Sequence, residues 1–315
     1  MLAFLGRRIS NGILMVFAIS VIAFSLLYIT GGNAARRILG DFASEEAVDR
    51  FYQELGLYRP LPVQYWDWLT NAIRGDLGNS WVNRGVEVTG EIGRRLVATL
   101  SLVLVSLLLS AIIAMFVGVF AALKRGTWMD RTVQTLSLGG AAIPSFLIAI
   151  GLVMLFALNL GWFYATGFTE PGDSITGWLH SITLPVVALL VGGVASSAQQ
   201  IRAAMINVLQ QDYVRTLRSR GLPARSVIFK HSLRNAAGPG LAVIALQFVG
   251  MLGGTVIIER VFNISGLGSL SASASSAGDV PILMGLIVTV AIIVVIVNLL
   301  LDIAQGWLNP KVRVS

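Results

Sequence analysis

Six long apolar runs are the feature that most constrains the fold of this chain of 315 residues. Each run is long enough to cross a hydrocarbon core of roughly 30 Å as a helix that rises about 1.5 Å per residue. Charged residues make up only 12% of the chain, against roughly 25% in soluble domains, which excludes a water-soluble globular protein. We therefore predict an all-α integral membrane protein whose six transmembrane helices lie at about 8–30, 96–123, 133–160, 182–201, 236–258 and 281–307.

The runs also divide the chain into regions. The first run is longer than the 7 to 15 apolar residues of a secretory signal, so we expect a retained N-terminal helix within residues 1–30. Residues 31–95 carry mixed charges, prolines and aromatic residues, which predicts a small extracytoplasmic lobe. Residues 96–315 then form a core of five helices. Pro144 interrupts the third run and predicts a kink there.

The distribution of charge predicts which side of the membrane each loop occupies. If the N-terminus is inside, the inner segments hold 14 of the 23 Lys and Arg residues and 2 of the 16 acidic residues. Lys and Arg accumulate on the cytoplasmic side of membrane proteins. Both termini are therefore expected in the cytoplasm, and membrane topology explains the net charge of +7 without nucleic-acid binding.

Residues that support catalysis are scarce. The two histidines, His180 and His231, form no HExxH motif, and Asp302 is the only acidic residue within the predicted spans. A phosphate-binding P-loop needs a lysine directly after glycine, and none of the chain's lysines has glycine before it. We therefore expect no enzyme activity, no metal site and no cofactor bound by this chain.

The loop at about 202–235 is the most informative segment. It holds 7 basic residues and 1 acidic residue. Its middle predicts a helix over 211–220, a left-handed cap at Gly221 and a second helix that begins near Pro223. Val214, Leu217 and Gly221 would form an apolar ridge between arginines. Composition alone leaves two interpretations open, namely contact with anionic lipid headgroups and docking of a partner protein.

Four separated segments carry a resemblance to a known family. DYVRTLRSRGL at 212–222, followed by KHSLRNA at 230–236, resembles the EAA-type coupling loop of permeases from binding-protein-dependent ABC importers, and most closely the dipeptide/oligopeptide (peptide/nickel) subgroup. Leu217 stands where relatives usually have a small residue. Three other segments resemble the same subgroup in the same order: RPLPVQYWDWLTNAIRGDLGNSW at 59–81, GGTVIIERVFNISGLG at 253–268 and NLLLDIAQGWLNPKVR at 298–313.

The resemblance implies the architecture of a type I ABC importer permease in the cytoplasmic (inner) membrane. It implies a homologous second permease, two cytoplasmic ATPase subunits that bind ATP and Mg, and an extracytoplasmic solute-binding protein. The chain would then form half of a path for peptides, with nickel, opine or glutathione-like solutes as alternatives. A stand-alone channel is another reading. The residues expected to couple to the ATPase are Asp212, Tyr213, Val214, Arg215, Leu217, Arg218, Gly221, His231, Arg234 and Asn235.

Polar residues in the later spans are candidates for the solute path. Glutamine and asparagine offer both donors and acceptors to a peptide backbone, although interhelical hydrogen bonds would use the same groups. Gly250 and Gly254 form a GxxxG pattern, which predicts a packing seam between helices or with a partner and not a part of the pore. The path candidates are Ser196, Gln199, Gln200, Gln247, Thr255 and Asn298.

Overall fold

The computed structural model describes residues 2–30 and 34–308, and most of these residues lie in helices. The only β-type pairing in the described ranges is an isolated bridge between Asn79 and Glu87. The helices are α1 (Leu2–Thr30), α2 (Ala34–Leu39), α3 (Glu45–Glu54), α4 (Leu61–Ile73), α5 (Val88–Leu123), α6 (Trp128–Ala142), α7 (Ser145–Leu152), α8 (Ile175–Leu209), α9 (Asp212–Ser219), α10 (Leu233–Val261), α11 (Leu267–Ala277) and α12 (Val280–Leu308).

Five helices in the described part are long and apolar enough to span a membrane, namely α1, α5, α8, α10 and α12. The predicted third span is instead broken into α6 and α7, which meet at an angle of 92°. Pro144 has no N–H to continue the first helix, and Ile143 before it is extended, with φ −84° and ψ 121°. The break is therefore sharper than the predicted kink, and the described residues hold six spans if the bent pair counts as one.

The helices run beyond the apolar segments that predicted them. Helix α8 begins at Ile175, where the Ser174 side chain accepts a hydrogen bond from the Gly177 N–H at 3.1 Å. Such a cap satisfies a backbone donor that has no partner inside the helix. Two π-helical segments, Val153–Asn159 and Ser226–Ser232, continue α7 and precede α10.

The chain divides into two compact units. The first consists mainly of Ala98–Ile264, and its buried apolar residues form two clusters. One cluster includes Leu102, Ile258 and Phe262, and the other joins residues of α5, α8 and the start of α10. The second unit consists of Gly6–Val97 and Ser265–Val295.

In the second unit, aromatic side chains of α4 pack against α1. The Phe24 ring lies 5.3 Å from the Tyr65 ring and 6.2 Å from the Trp68 ring, measured between centroids. The Tyr65 hydroxyl and the Ser20 hydroxyl are hydrogen-bonded at 2.9 Å. These aromatic residues therefore fix the segment after the first helix to that helix.

A buried carboxylate holds another part of the second unit together. Asp279, directly before α12, is 2% exposed. It accepts hydrogen bonds from the Ser80 hydroxyl and from the Trp81 N–H, the latter at 3.2 Å. The loop before α5 is thereby fixed to the start of α12. Residues 31–33 at the start of the predicted lobe and residues 309–315, which include the end of the C-terminal resemblance, lie outside the described residues.

Candidate functional site

The predicted coupling loop folds as its sequence indicates. Helix α9 covers Asp212–Ser219, and its last turn closes with the Gly221 N–H donating to the Arg218 carbonyl at 3.0 Å. Gly221 has φ +77°, the left-handed conformation that glycine adopts without steric cost. Pro223 precedes the next helical segment, so the helix–glycine–proline–helix pattern is present.

Two contacts anchor α9 to the rest of the first unit. Val214 is fully buried, with 0% of its surface exposed. The Asn235 side-chain amide donates to the Tyr213 hydroxyl at 2.8 Å, which joins α9 to the start of α10. Val214 therefore faces the chain's own core, and the predicted ridge of Val214, Leu217 and Gly221 was wrong for this residue: helical spacing shows that residues share a face but not what that face contacts.

The remaining predicted coupling residues differ in exposure. Arg215 and Arg218 are exposed on α9, and Gly221 is exposed at its end. The nearest carboxylate to Arg215 is that of Asp212, at 3.8 Å, and both side chains are largely in solvent. Exposed pairs of this kind contribute little to stability, so these guanidinium groups remain accessible to a partner. Leu217 and His231 are half-buried, and Arg234 and Asn235 are exposed.

A groove of about 360 Å³ lies in the first unit between α8 and α10, with Ser145 of α7 in its wall. Three of the six predicted path residues, Ser196, Gln200 and Gln247, line it. Apolar side chains such as Leu246 and Met251 make up much of the rest, and no charged side chain is among its lining residues. The groove therefore offers hydroxyl and amide groups within an otherwise apolar surface.

Gln247 also joins three helices. Its side-chain N–H donates to the Ser110 hydroxyl of α5 at 2.9 Å, and its carbonyl oxygen accepts from the Ser197 hydroxyl of α8. Ser110 and Ser197 are 0% and 1% exposed. Gly193 gives the amide its space, because a Cβ there would lie 2.1 Å from the Gln247 nitrogen. Sequence reasoning missed both serines, since serine is common on helix surfaces.

The other three path candidates do not line this groove. Thr255 is 1% exposed, and its hydroxyl donates to the Leu252 carbonyl of its own helix at 2.8 Å. Gln199 and Asn298 are half-buried outside the groove.

Gly250 and Gly254, the residues of the GxxxG pattern, lie on the groove wall. They do not form a packing seam between two helices that the structure describes. A Cβ at Gly250 would meet nothing within 4 Å, and one at Gly254 would meet only Leu189, at 3.7 Å. No helix of the described chain therefore packs closely on Gly250. The alternative, a seam with a partner, stays a prediction.

Besides Asp279, two further acidic residues of predicted loops are buried. Glu259 was predicted to lie in an outer loop, but α10 extends past it and it is 0% exposed. The Thr99 hydroxyl donates to its carboxylate at 2.6 Å. Asp130 was read as a loop charge and is 2% exposed, paired with Arg202. In the ranges that the structure describes, no group of His, Cys, Asp or Glu has the arrangement of a metal site.

Comparisons with known proteins decide the family. Residues 114–314 match the model of the binding-protein-dependent transport system inner membrane component, and residues 1–103 match the model of its N-terminal region. The chain belongs to this family. It is therefore the permease subunit of an ABC importer and a multi-pass protein of the inner membrane. Family members work with a solute-binding protein and with ATPase and permease partners, and the permease itself is a transport component and not a catalytic subunit.

Individual relatives match this permease over nearly its whole length. A putative peptide transport system permease of Brucella abortus (strain 2308) is 37% identical over 313 residues, which is 99% of both chains. A probable peptide ABC transporter permease of Sinorhizobium fredii is 35% identical over 98% of both chains. A glutathione transport system permease of Escherichia coli O6:H1 is 35% identical over 99% of both chains.

Proposed function

We propose that this permease is one half of a peptide-conducting path and that α9 couples it to a separate ATPase. The observation that carries the proposal is the coupling segment, in which exposed Arg215 and Arg218 stand on a short helix anchored from beneath by Val214 and by the Tyr213–Asn235 hydrogen bond. Guanidinium groups form strong paired hydrogen bonds with carboxylates. An acidic surface of an ATPase subunit would therefore dock here, and a push on α9 would reach the helices to which it is fixed.

The proposal includes a topology and a domain plan. Six spans, with α6 and α7 as one broken span, would place both termini in the cytoplasm. Residues 1–30 would form the N-terminal span, 31–95 the extracytoplasmic lobe and 96–315 the permease core. The chain would pair with a homologous permease above two ATPase subunits, which hold ATP and Mg, and an external solute-binding protein would deliver the cargo. Of the proposed coupling residues, Val214 acts by anchoring α9.

The coupling assignment is tested in proteoliposomes that contain the complete importer. Arg218→Glu reverses a charge on the docking face, and Gly221→Val places a β-branched residue at a left-handed position. Both should reduce capture of the ATPase subunits and ATP-driven uptake. Arg74→Glu is the matched control, because Arg74 is an exposed cation in the predicted outer lobe. Uptake by both coupling variants at the control's level would refute the assignment.

The predicted topology has its own test, because the chain contains no cysteine. Ser219→Cys on α9 should react with a membrane-impermeant maleimide only after the cytoplasmic side is opened. Asn71→Cys on α4 should react in intact cells. The reverse pattern would overturn the topology and with it the docking proposal.

We propose that the groove contacts the peptide backbone. Its lining has amide and hydroxyl groups but no charged side chain, which suits a backbone that is common to peptides with different side chains. Gln200 and Gln199 provide a matched pair, because Gln200 lines the groove and its neighbour does not. Gln200→Leu should raise the KM for peptide uptake by roughly 2- to 10-fold, the value of one hydrogen bond, whereas Gln199→Leu should leave KM unchanged. Equal effects of the two substitutions on KM would show that the groove is not part of the solute path.

Relatives named for peptide and for glutathione transport support a peptide-like cargo. Competition between a labelled dipeptide, glutathione and Ni²⁺ for uptake distinguishes the cargo classes. A stand-alone channel would conduct without ATP. Conductance recordings on the isolated chain in a planar bilayer should therefore show no current.

A further inference from the structure

Asp130 of α6 and Arg202 of α8 form a buried ion pair within the first unit. The Arg202 Nε donates to Asp130 Oδ1 at 2.6 Å, and Nη2 donates to Oδ2 at 2.7 Å. The Asp130 side chain is 2% exposed and that of Arg202 is 18% exposed. Two parallel bonds between a planar guanidinium and a carboxylate fix orientation as well as distance. The pair therefore fixes the start of α6 relative to α8.

The same carboxylate also fixes the turn that leads into α6. The Gly126 N–H donates to Asp130 Oδ2 at 3.0 Å. Gly126 has φ +81°, and the Thr127 hydroxyl donates to the Lys124 carbonyl at 2.6 Å. The Asp130 carboxylate thus accepts three hydrogen bonds, which leaves the turn and both helices few alternative arrangements.

Arg202 stands on the helix that leads directly to the coupling segment. Helix α8 is continuous to Leu209, and α9 begins at Asp212 after two residues. An apolar cluster containing Met205 and Val208 packs against Tyr213 and Leu233 near this end of α8. Force applied to α9 would therefore act first on the part of α8 that carries Arg202.

Helix α6 connects this pair with the groove. It has 15 residues, about 22 Å of helix, and the broken span resumes at Ser145, which lines the groove. A second contact with α8 lies near the far end of α6, where a Cβ at Gly140 would be 3.4 Å from Ala195 and 3.5 Å from Val191. Helix α6 is therefore held to α8 at both ends, by an ion pair at one and by close packing at the other.

We propose that the Asp130–Arg202 pair is a positioning link that makes α6 and α8 move as one body, so that a push on α9 shifts Ser145 and the groove wall. The inference rests on the proposed coupling function of α9. A buried ion pair adds little net stability compared with an apolar pair, but it specifies geometry. The pair should therefore matter more for the coupling of ATP hydrolysis to transport than for assembly.

The test uses the complete importer in proteoliposomes. The double variant Asp130→Asn/Arg202→Gln removes both charges, so that neither is left buried alone, and Arg202→Lys keeps the charge but loses the paired geometry. Both should retain the ATPase subunits and ATP hydrolysis within about twofold, while solute transported per ATP falls about 5-fold or more, the lower end of typical coupling between sites. Arg131→Gln, an exposed neighbouring cation, is the control and should leave the ratio unchanged.

A cross-link provides the second measurement. Asp130→Cys/Arg202→Cys introduces the only thiols in this cysteine-free chain, and a short bismaleimide would join them. The joined protein should recover the lost transport per ATP. A wild-type ratio in both charge variants, or loss of transport on joining, would overturn the positioning link. Loss of ATPase capture in these variants would also overturn it, whereas failure of the α9 variants to alter capture would count against the coupling function itself.

Discussion

Each of the two compact units contains a buried aspartate that joins separate segments, and the two aspartates have different partners. Asp130 in the first unit and Asp279 in the second are both 2% exposed. A guanidinium satisfies Asp130, together with one backbone N–H. Asp279 accepts from the Ser80 hydroxyl and from the Trp81 backbone N–H. The first arrangement joins two helices through oppositely charged side chains. The second joins a loop to the start of a helix through a carboxylate and neutral donors.

The difference follows from what each contact must do. A charge pair resists separation strongly, because pulling it apart leaves a charge without compensation in a low-dielectric surrounding. Neutral donors hold a carboxylate with less energy and can be replaced by water where water has access. We therefore expect the stability of the protein to depend far more strongly on Asp130 of the first unit than on Asp279 of the second.

The largest effect should follow Asp130→Ala. The substitution leaves Arg202, whose side chain is 18% exposed, without its carboxylate, and we expect a loss of about 3 kcal/mol of unfolding free energy, the lower end for a buried pair. Unfolding of the purified permease in detergent, followed by circular dichroism, measures the change. Asp41→Ala, which removes an exposed carboxylate, serves as control. A loss below about 1 kcal/mol would place Asp130 in the same class as a surface residue.

The second-largest loss of stability should follow a change at the hydrogen bonds of Gln247 with Ser110 and Ser197. Gly193→Ala places a Cβ 2.1 Å from the Gln247 nitrogen, so the amide must move away from Ser110 and Ser197. We expect a loss of about 1–3 kcal/mol and reduced peptide uptake. Gly250→Ala is the control on the same groove wall, since its Cβ meets nothing within 4 Å. Equal stability of the two variants would show that the network tolerates displacement.

Asp279→Asn should have a smaller effect than Asp130→Ala. Asparagine keeps one acceptor oxygen for Ser80 or Trp81 and loses the charge that strengthens both bonds. The expected loss is about 1 kcal/mol, measured by the same unfolding experiment. Ser276→Ala removes an exposed hydroxyl nearby in sequence and is the control. If Asp279→Asn cost as much as Asp130→Ala, the contrast between the two regions would fail.

The smallest effect on stability should come from Arg215→Gln. Its contact with Asp212 is long, at 3.8 Å, and exposed, so unfolding should stay within about 0.5 kcal/mol of wild type. ATP-driven uptake should nevertheless fall, because the residue lies on the proposed docking face. Normal uptake together with normal stability would exclude Arg215 from coupling and leave Arg218 as the principal cation.

Local patterns were predictable from the sequence, and contacts between distant segments were not. The α9 helix and its Gly221 cap follow from residues that neighbour each other, because turn chemistry is local. Asp130 and Arg202 are 72 positions apart, and each looks like an ordinary cytoplasmic loop charge. Only packing of α6 on α8 brings them together.

The candidate groove was half predictable for the same reason. Polar residues in apolar spans indicated Ser196, Gln200 and Gln247, but the same pattern indicated Thr255, which bonds to its own helix. Composition identifies polar groups in a span and does not tell which way each faces. The charge of Glu259 was assigned to a loop because the apolar run ends before it, although the helix continues to Val261.

Because the helix breaks at Pro144, we expect part of the polarity of the groove to come from the main chain and to survive substitution of side chains. Ser145 is the first residue of α7 and lies in the groove wall. The first N–H groups of a helix have no acceptor earlier in that helix. Those of Leu147 and Ile148 donate to the Pro144 carbonyl, and we expect main-chain donors nearer Ser145 to add to the polarity of this wall. Replacing the Ser145 hydroxyl leaves those donors in place, and an alanine scan would therefore understate how polar the groove is.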